Sequence, residues 1–508
     1  MGHNQIRFPQ VNEHDVETAM MFSTEAADPD GERRPLLAEQ GKDPHLVVLT
    51  GPHDPLDPLH LPPWRKWFCA SILGAMTFAA TFSSSVFSAA ARVTAQEFGV
   101  APETMALATS LYVIGFATGP VLMGPASELY GRKTPFFVGY LGFILSQVPV
   151  GLASNVETVL LFRFLGGVAS SASPAIVGGY LADFFPPIER GVAVAIFAAT
   201  TLIGPSAGAI IGAVVVQSSL GWRWTAWFSM IMGVVFGAVG LLVLPETYVP
   251  VLLKRKARQL RFKTKNWALH SKLEETPVDF RDFVVRYLRR PFLMLCLEPI
   301  LLLMTLYISF TFGMVYLLFV AYPISFVQQR GFDPVVGALP FIAIIIGIII
   351  GSVSVVYYTL TIMRQKLVQN GQVVPEDRLP PMIVGACLLA VGLFWFAWAS
   401  SPTMNPWPQI IAGVPIGIGV QVVLLQSLAY LIDIYTTNAN SAISGTVIVR
   451  SLIGGGFPLF AVPMYQRFGV FWASSFLGIF AVLFVPIPIL FYFYGAKIRS
   501  FSKYVPQL

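Results

Sequence analysis

Residues 124–136 read G-P-A-S-E-L-Y-G-R-K-T-P-F and lie between two apolar runs that are each long enough to cross a lipid bilayer. This stretch places the carboxylate Glu128, the bend residue Gly131 and the cations Arg132 and Lys133 in a connection too short to hold a domain. A charged break of this kind between two apolar helices predicts a short loop at a membrane surface.

The composition is that of a membrane protein. Of the 508 residues, 55% are hydrophobic and 12% are charged, whereas about 25% of the residues of a soluble domain are charged. Apolar runs of about 20 residues, the length that crosses a bilayer as a helix, recur from residue 67 to residue 494. Because irregular backbone cannot face lipid, we predict an all-α membrane protein.

Twelve spans are predicted, in two groups of six that a long polar segment separates. The predicted spans cover residues 67–91, 104–124, 134–152, 157–183, 191–216 and 224–244, then 292–320, 333–360, 381–400, 407–433, 438–465 and 470–494.

The cations are distributed unevenly over the loops between these spans. One side, called the inner face below, carries Arg132, Lys133, Arg190, the basic run 254–265, Arg364, Lys366, Arg378, Lys497, Arg499 and Lys503. The other side, the outer face, holds Arg92, Arg223, Arg330 and Arg467. This bias predicts that the inner face and both termini are cytoplasmic, and the net charge of +6 therefore indicates topology and not a nucleic-acid partner.

The predicted domains follow from the spans. Residues 1–66 are expected to be a disordered cytoplasmic tail, residues 67–244 an N-terminal six-helix bundle (the N half), and residues 245–291 a basic cytoplasmic linker whose cations either contact anionic lipids or are solvated. Residues 292–494 form the C-terminal bundle (the C half) and residues 495–508 a short cytoplasmic tail. A weak repeat of residues 201–204 at 451–454 supports two related halves.

One motif in the tail bears on localisation. Residues 32–37 read E-R-R-P-L-L, from Glu32 to Leu37, and resemble an acidic dileucine sorting signal, although a plain linker explains them as well. We expect the plasma membrane, with the vacuole or another endomembrane as the alternative.

The opening stretch fits the pattern G-x-x-x-[D/E]-x-x-G-R-[R/K] from Gly124 onward, and it resembles the signature loop of the major facilitator superfamily. The resemblance implies two pseudo-symmetric bundles with the cargo site near the midplane between them. Glu128 is expected to face the positive end of the helix that begins near Asn438 and to close the inner side, with Arg132 and Lys133 as its alternative partners.

Further charged residues extend the resemblance. Arg163 lies in L-F-R-F-L-G-G, roughly 9 Å into the fourth span, and resembles the fourth-helix arginine that the family ties to proton coupling. Asp183 and Arg190 resemble the charge cluster that acts with the signature loop, and a structural salt bridge is the alternative for Asp183. Glu298, in the seventh predicted span, is the acidic candidate for proton coupling.

The fifth span carries Gly204, Pro205, Gly208 and Gly212. The string G-P-S-A-G-A resembles the family's antiporter motif, which is typical of exporters, whereas close helix packing explains the glycines by itself. Residues 245–257, P-E-T-Y-V-P-V-L-L-K-R-K-A, resemble a string of fungal drug:proton antiporters with twelve spans. Val320 stands where many relatives carry a glutamate, which weakens the case for a cationic cargo and for strict proton antiport.

The predicted cargo cavity is apolar and aromatic with hydroxyls, amides and one deep cation: Ser84, Ser85, Tyr307, Gln421, Gln426 and Arg450. Arg450 lies about 18 Å into its span, and a cation so deep indicates a cargo or proton role. The cavity suits a neutral or amphipathic organic molecule, and with Arg163, Arg450 and Arg92 nearby it suits a small organic anion as well.

We therefore predict a secondary active exporter, driven by protons, of a small organic metabolite or drug. A facilitator or symporter for an organic acid is the alternative. An embedded enzyme and a nutrient sensor are disfavoured, since the spans hold no polar catalytic cluster and the tails are short. The sequence has neither a G-x-x-x-x-G-K-[S/T] loop nor a His or Cys metal spacing, so no cofactor and no metal are expected, and we expect a monomer.

Overall fold

The structure is a computed structural model that describes residues 43, 45–49, 54, 56–275, 289–370, 374–500 and 502–504. Over these residues it is helical, apart from an isolated bridge between Leu46 and His270. The dileucine-like stretch from Glu32 to Leu37 lies outside the described residues.

Eleven helices in the described part of the chain are long and apolar enough to cross a membrane: Pro63–Phe98, Pro102–Tyr130, Lys133–Gly151, Val156–Phe184, Ile188–Gln217, Trp224–Val243, Pro299–Gln329, Pro334–Gln369, Pro375–Trp398, Trp407–Tyr435 and Ala439–Arg499. The last has 61 residues, about twice the length that a crossing needs, and Gly469 interrupts it with a left-handed φ of 71°. It therefore comprises two spans, 439–468 and 470–499, and the predicted twelve spans, numbered 1–12 below, are confirmed.

The start of span 7 differs from the prediction. A separate short helix, Arg290–Leu297, ends at Glu298, whose φ of −108° and ψ of 103° are extended, and span 7 begins at Pro299. Proline disfavours helical backbone in the residue before it, which explains the break. Glu298, which the predicted bounds place about a turn and a half into the seventh span, therefore directly precedes that span.

Small residues bring spans 1 and 5 together in the N half. A side chain added at Gly204 would overlap the Thr81 hydroxyl, and one added at Gly212 would overlap the Val86 carbonyl. Gly208, between them, faces span 1 in the same way. Gly204, Gly208 and Gly212 therefore make close helix packing, which is the alternative explanation for the antiporter-like string.

Part of the tail that the sequence predicts to be disordered is ordered in the structure, because the described residues 45–49 contact the linker. The Val47 amide donates to the His270 carbonyl at 2.8 Å, and the His270 amide donates to the His45 carbonyl at 3.0 Å. Within the linker, a helix at Val249–Thr264 (the linker helix) has an apolar side that includes Leu253, and Val47 is buried against it. The tail folds here because that apolar stripe would otherwise face water.

Candidate functional site

Gly131 turns the chain between spans 2 and 3 with φ 89° and ψ 169°, a conformation that favours glycine. A side chain at this position would also overlap the carboxylate of Glu246. That carboxylate accepts hydrogen bonds from the Arg132 amide at 2.8 Å and the Lys133 amide at 3.2 Å, the first donors of span 3. An anion at a helix start is stabilised by the unpaired N–H groups and the helix dipole, so Glu246 anchors the signature loop.

The side chain of Arg132 joins spans 2 and 4 to the segment that follows span 6. Its Nη1 donates to the Ser127 hydroxyl at 3.0 Å, and its Nε lies 3.4 Å from Asp183 Oδ2. The guanidinium also lies 4.7 Å from the ring centre of Tyr248. The Thr247 hydroxyl donates to the same Asp183 oxygen at 2.8 Å, and Asp183 is buried. The loop and the inner ends of spans 4 and 6 therefore form one charge cluster.

Glu128 reaches across to the C half. Its Oε1 accepts a hydrogen bond of 3.3 Å from the Asn440 side chain, one residue after span 11 begins. Glu128 therefore contacts the predicted helix start, and this hydrogen bond comes from a side-chain amide of that helix. Of the other predicted gating residues, Arg190 lies in the first turn of the helix Pro187–Gln217, and Gly124 has open space where a side chain would be added.

A second contact between the halves joins spans 5 and 8 near the inner face. A Cβ at Gly191 would lie 3.3 Å from the methyl group of Thr359. Gln421 extends this contact, because its Nε2 donates to the Ser352 hydroxyl at 2.8 Å and lies 3.5 Å from a backbone oxygen of span 5. Four buried apolar residues form its core: Ala195, Val355, Val422 and Leu425.

Arg163 is 2% exposed and binds backbone carbonyl groups of spans 1 and 2. Its Nη1 donates to the Ser83 carbonyl at 2.6 Å, Nη2 to the Ser84 carbonyl at 2.8 Å and Nε to the Ala108 carbonyl at 3.2 Å. The guanidinium also lies 4.5 Å from the ring centre of Tyr112. The Ser83 and Ser84 carbonyl groups lie where the α-helix of span 1 changes to 3-10 geometry after residue 86, which frees them from regular α-helical bonding. Among the described residues, no carboxylate pairs with Arg163.

A buried contact joins the halves beside Arg163. The hydroxyls of Ser84 and Tyr316 lie 3.1 Å apart, and Tyr316 packs on the ring of Phe312 at 5.2 Å. Arg450 lies 4.7 Å from the centre of the Phe312 ring, and its buried Nε has no hydrogen-bond partner within the described chain. One arginine from each half thus flanks the Ser84–Tyr316 contact, which we call the central site.

The other residues predicted for the cargo cavity are buried elsewhere in the bundles. The Ser85 hydroxyl donates to the Pro205 carbonyl at 2.6 Å and so joins spans 1 and 5. Tyr307 stacks on Phe484 with ring centres 5.1 Å apart. Gln426 is fully buried, and both of its amide atoms are without a partner in the part of the chain that the structure describes. Ser85 and Tyr307 therefore support packing within each half.

Glu298 is buried at the inner face, away from the two arginines of the central site. Its Oε1 accepts hydrogen bonds from the amides of Lys503 at 3.0 Å and Tyr504 at 3.3 Å, and its Oε2 accepts one from the Tyr435 hydroxyl at 3.2 Å. The carboxylate ties the C-terminal segment to spans 7 and 10, and these contacts give no support to a role in proton coupling.

The arginines of the outer face hold loops together. Arg223 pairs with Glu97 at 2.8 Å, and Arg330 donates to the Ala399 carbonyl at 2.9 Å. Arg92, which the sequence left as a possible cargo contact, is exposed near the outer end of span 1 and not part of the central site.

An unpredicted cluster joins the tail to the linker. His270 Nδ1 lies 2.8 Å from the Ala268 carbonyl, and Nε2 lies 2.8 Å from Glu275 and 3.6 Å from Asp43. The bond to the Ala268 carbonyl and the two carboxylates raise the pKa of His270. The ligand atoms of Asp43, His270 and Glu275 lie within 4.8 Å of one another, close enough to hold a metal ion. Without a metal ion, the positive charge of a protonated His270 imidazole balances the negative charge of both carboxylates.

Sequence reasoning missed Glu246, Asn440, Phe312 and Tyr316. Glu246 belongs to the string of residues 245–257, which does not by itself indicate a contact with the signature loop. The signal that could have identified it is the position of a carboxylate directly after an apolar span. The roles of Asn440 and Tyr316 depend on partners in the other half, and no local pattern identifies them.

The chain was compared with known proteins. The family model described as Major Facilitator Superfamily matches residues 73–458. The MFS-type transporter tazK of Aspergillus terreus is 64% identical over 348 residues, 68% of this chain and 98% of that protein. The citrinin biosynthesis cluster MFS transporter mrr1 of Monascus ruber is 51% identical over 92% of this chain and 93% of its own length. The cercosporin MFS transporter CTB4 of Cercospora nicotianae is 46% identical over 92% and 91%.

Solved structures agree on the fold. The proton:xylose symporter XylE, bound to 6-bromo-6-deoxy-D-glucose, aligns with a TM-score of 0.61 and 16% identity over 85% of this chain and 96% of its own. The human organic anion transporter MFSD10 aligns with a TM-score of 0.57 and 15% identity over 84% and 100%. The chain belongs to the Major Facilitator Superfamily and is a membrane transporter of small molecules, not an enzyme.

Proposed function

We propose that the protein exports a small organic metabolite by alternating access, in exchange for protons. The observation that carries the proposal is the central site, where Arg163 and Arg450 flank the buried Ser84–Tyr316 contact between the halves. A cargo molecule that enters between the halves would replace this contact, and each half would then present one cation to it.

The relatives narrow the class of cargo. Two of them are named as transporters of the citrinin and ascochitine biosynthesis clusters, and another as a cercosporin transporter. By analogy, the cargo would be the product of a biosynthesis cluster. We expect a monomer in the plasma membrane.

The chemistry of the central site favours a neutral or anionic aromatic molecule. Phe312 and Tyr316 offer ring faces, and Arg450 has an unpartnered donor in the described structure. A buried cation attracts an anion strongly in surroundings of low polarity, whereas it repels a cationic cargo. The same chemistry keeps a facilitator or symporter for an organic acid as the second candidate.

The inner gate would be the contact between Glu128 and Asn440, since it joins the halves beside the signature loop. Cargo from the cytoplasm can enter only when this contact and that of spans 5 and 8 are broken. The charge cluster of Arg132 and Asp183 lies within the N half, so it would move as a unit during opening.

The exchange for protons is proposed from the resemblance of Arg163 and the span 5 string to family motifs. Everted membrane vesicles with an acidic lumen would test it, with the cargo taken from metabolite profiles of cells lacking and overproducing the protein. We expect cargo uptake that stops when a protonophore collapses the gradient. Uptake that persists without the gradient would support a facilitator, and uptake driven by the reverse gradient would support a symporter.

A matched pair of variants tests the central site in the same assay. Arg450→Gln should lower uptake about tenfold or more, because a cargo contact is lost in a poorly solvated site. Arg467→Gln removes an exposed arginine from the same span and should leave uptake unchanged. Equal uptake by both variants would remove Arg450 from the site.

A further inference from the structure

The linker helix, Val249–Thr264, has two different faces. Leu253 and Ala257, one turn apart, are buried against the tail. On the other side Lys254, Arg258 and Phe262 follow one another at four-residue spacing and are exposed. Residues at this spacing lie on the same side of an α-helix, so the linker helix presents a row of two cations and an aromatic ring outward.

A cleft of about 220 Å³ lies between the start of this helix and the inner end of span 2. Three apolar or aromatic residues and three cations line it: Leu129, Tyr130, Val251, Lys254, Arg255 and Arg258. Tyr130 is the last residue of span 2 and is 66% exposed. Because span 2 ends at the membrane surface, the cleft opens where the hydrocarbon layer meets the headgroups.

The cations of the cleft differ from other cations of the same helix. Lys256 pairs with Asp54 at 3.2 Å, and Arg261 pairs with Glu274 at 2.8 Å. Over the residues that the structure describes, Lys254, Arg255 and Arg258 form no ion pair. The three cations at the cleft therefore keep their positive charge without an acidic partner among the described residues, whereas Lys256 and Arg261 are each neutralised by a carboxylate.

Exposed aromatic residues continue the same surface. Phe262 and Trp267 are 63% and 67% exposed, and their rings meet edge to face at 5.5 Å. Aromatic rings beside cations are typical of surfaces that lie in the headgroup region of a membrane. A soluble anion would use the cations but would gain nothing from the apolar floor of the cleft or from these rings.

We infer that the cleft binds one anionic phospholipid of the inner leaflet. The headgroup phosphate lies against Lys254, Arg255 and Arg258, and the glycerol and first acyl carbons lie against Leu129, Tyr130 and Val251. This site is independent of the cargo and of the driving force proposed above. Tyr130 directly precedes Gly131 and belongs to the same signature stretch as Glu128, so a lipid bound in the cleft contacts this stretch.

Native mass spectrometry of the full-length protein tests this site, with equal amounts of phosphatidylserine and phosphatidylcholine in the mixed micelles. We expect the wild type to retain one phosphatidylserine with a preference of about tenfold over phosphatidylcholine. The variant Lys254→Gln/Arg255→Gln/Arg258→Gln should lose most of this preference. Arg255→Lys/Arg258→Lys keeps the charge and should retain it.

A control with the same change in charge separates the cleft from the net charge of the inner face. Arg364→Gln/Lys497→Gln/Lys503→Gln removes three exposed cations of the inner face, one from span 8 and two from the C-terminal segment, and should leave the preference intact. An unchanged preference in the cleft variant, or an equal loss in this control, would overturn the inference. So would full displacement of the lipid by inorganic phosphate or glycerophosphoserine, since either result would indicate a site for soluble phosphates.

Discussion

The two inner contacts between the halves have opposite chemistry. Spans 2 and 11 meet through the polar side chains of Glu128 and Asn440, whose 3.3 Å hydrogen bond is exposed to solvent. Spans 5 and 8 meet through close packing, with Gly191 against Thr359 and the buried Ala195 against Val355. One contact depends on charge and the other on shape.

This difference has consequences for opening. An exposed polar contact contributes on the order of 0–1 kcal/mol, because water competes for both partners. Buried apolar contact contributes in proportion to the area removed from water, and it is sensitive to side-chain volume. We therefore expect the apolar contact to provide most of the closing energy and the polar contact to break more easily.

The inner ends of the halves can be compared in the same way. In the N half Arg132 pairs with Asp183, and in the C half Arg378 pairs with Asp433 at 2.9 Å. Each pair joins the start of a third span to the end of a fourth span in its own bundle. What distinguishes the N half is Glu128, which extends the cluster to the other half.

The largest effect is expected from a change of shape at the apolar contact. Ala195→Leu should weaken closure of the inner side by about 1–3 kcal/mol, because three carbons are added to a packed core. The change would be measured by transport of the cargo and by how fast cysteines introduced at the inner face react with a thiol reagent. Ile196→Phe is the control, since Ile196 is 49% exposed on the lipid side of the same helix and should tolerate a larger side chain. Equal loss in both variants would argue against a specific contact.

A smaller effect is expected at the polar contact. Glu128→Gln should reduce transport by up to about fivefold, since the exposed hydrogen bond from Asn440 then has a neutral acceptor in place of a charged one. Measurement in vesicles, corrected for the amount of inserted protein, would show it, and Glu103→Gln at the outer end of span 2 is the control.

Reversal sharpens this test. Asn440→Asp places a second carboxylate beside Glu128 and should lower transport further, whereas the double variant Glu128→Asn/Asn440→Asp should recover it. Normal transport by Glu128→Gln with normal insertion would refute the gate assignment.

The smallest effect is expected at the contact between the tail and the linker. Like the two inner contacts taken together, this contact has an apolar part, at Val47, and a polar part, at His270. The pKa of His270 is raised, first by its bond to the Ala268 carbonyl and then by Glu275 and Asp43. The stabilisation that protonated His270 gives to this contact is therefore fully present below the ordinary histidine pKa of about 6.5. It is lost as the pH rises through the raised pKa.

Limited proteolysis of residues 43–61 should become faster between pH 6 and pH 8, and His270→Gln should remove this dependence. A pH-independent rate in the wild type would contradict the assignment.

Much of the fold was predictable because span length is a local property of the sequence. Each apolar run long enough to cross the bilayer forms a helix, including the last pair, where Gly469 separates two spans. The errors lie at the edges of the membrane. Pro299 interrupts the helix where the apolar pattern continues. The order of the tail depends on an apolar stripe of the linker helix, which lies about 200 residues further along the chain.

The candidate site was predictable in part. Arg163 and Arg450 are identifiable because burying a cation inside an apolar helix costs free energy, which indicates a partner or a function. Ser85 and Tyr307 are predicted in the cavity because they are polar residues inside spans, but residue type does not determine which side of a helix faces the centre.

The sequence by itself determined the twelve spans, the signature loop and the two deep arginines, because the bilayer imposes length and polarity on each helix separately. Only the tertiary structure decided that Glu128 meets Asn440 and that Ser84 meets Tyr316, residues that are 312 and 232 positions apart. These contacts depend on how the two halves pack, and many helix orientations satisfy the same hydrophobic pattern.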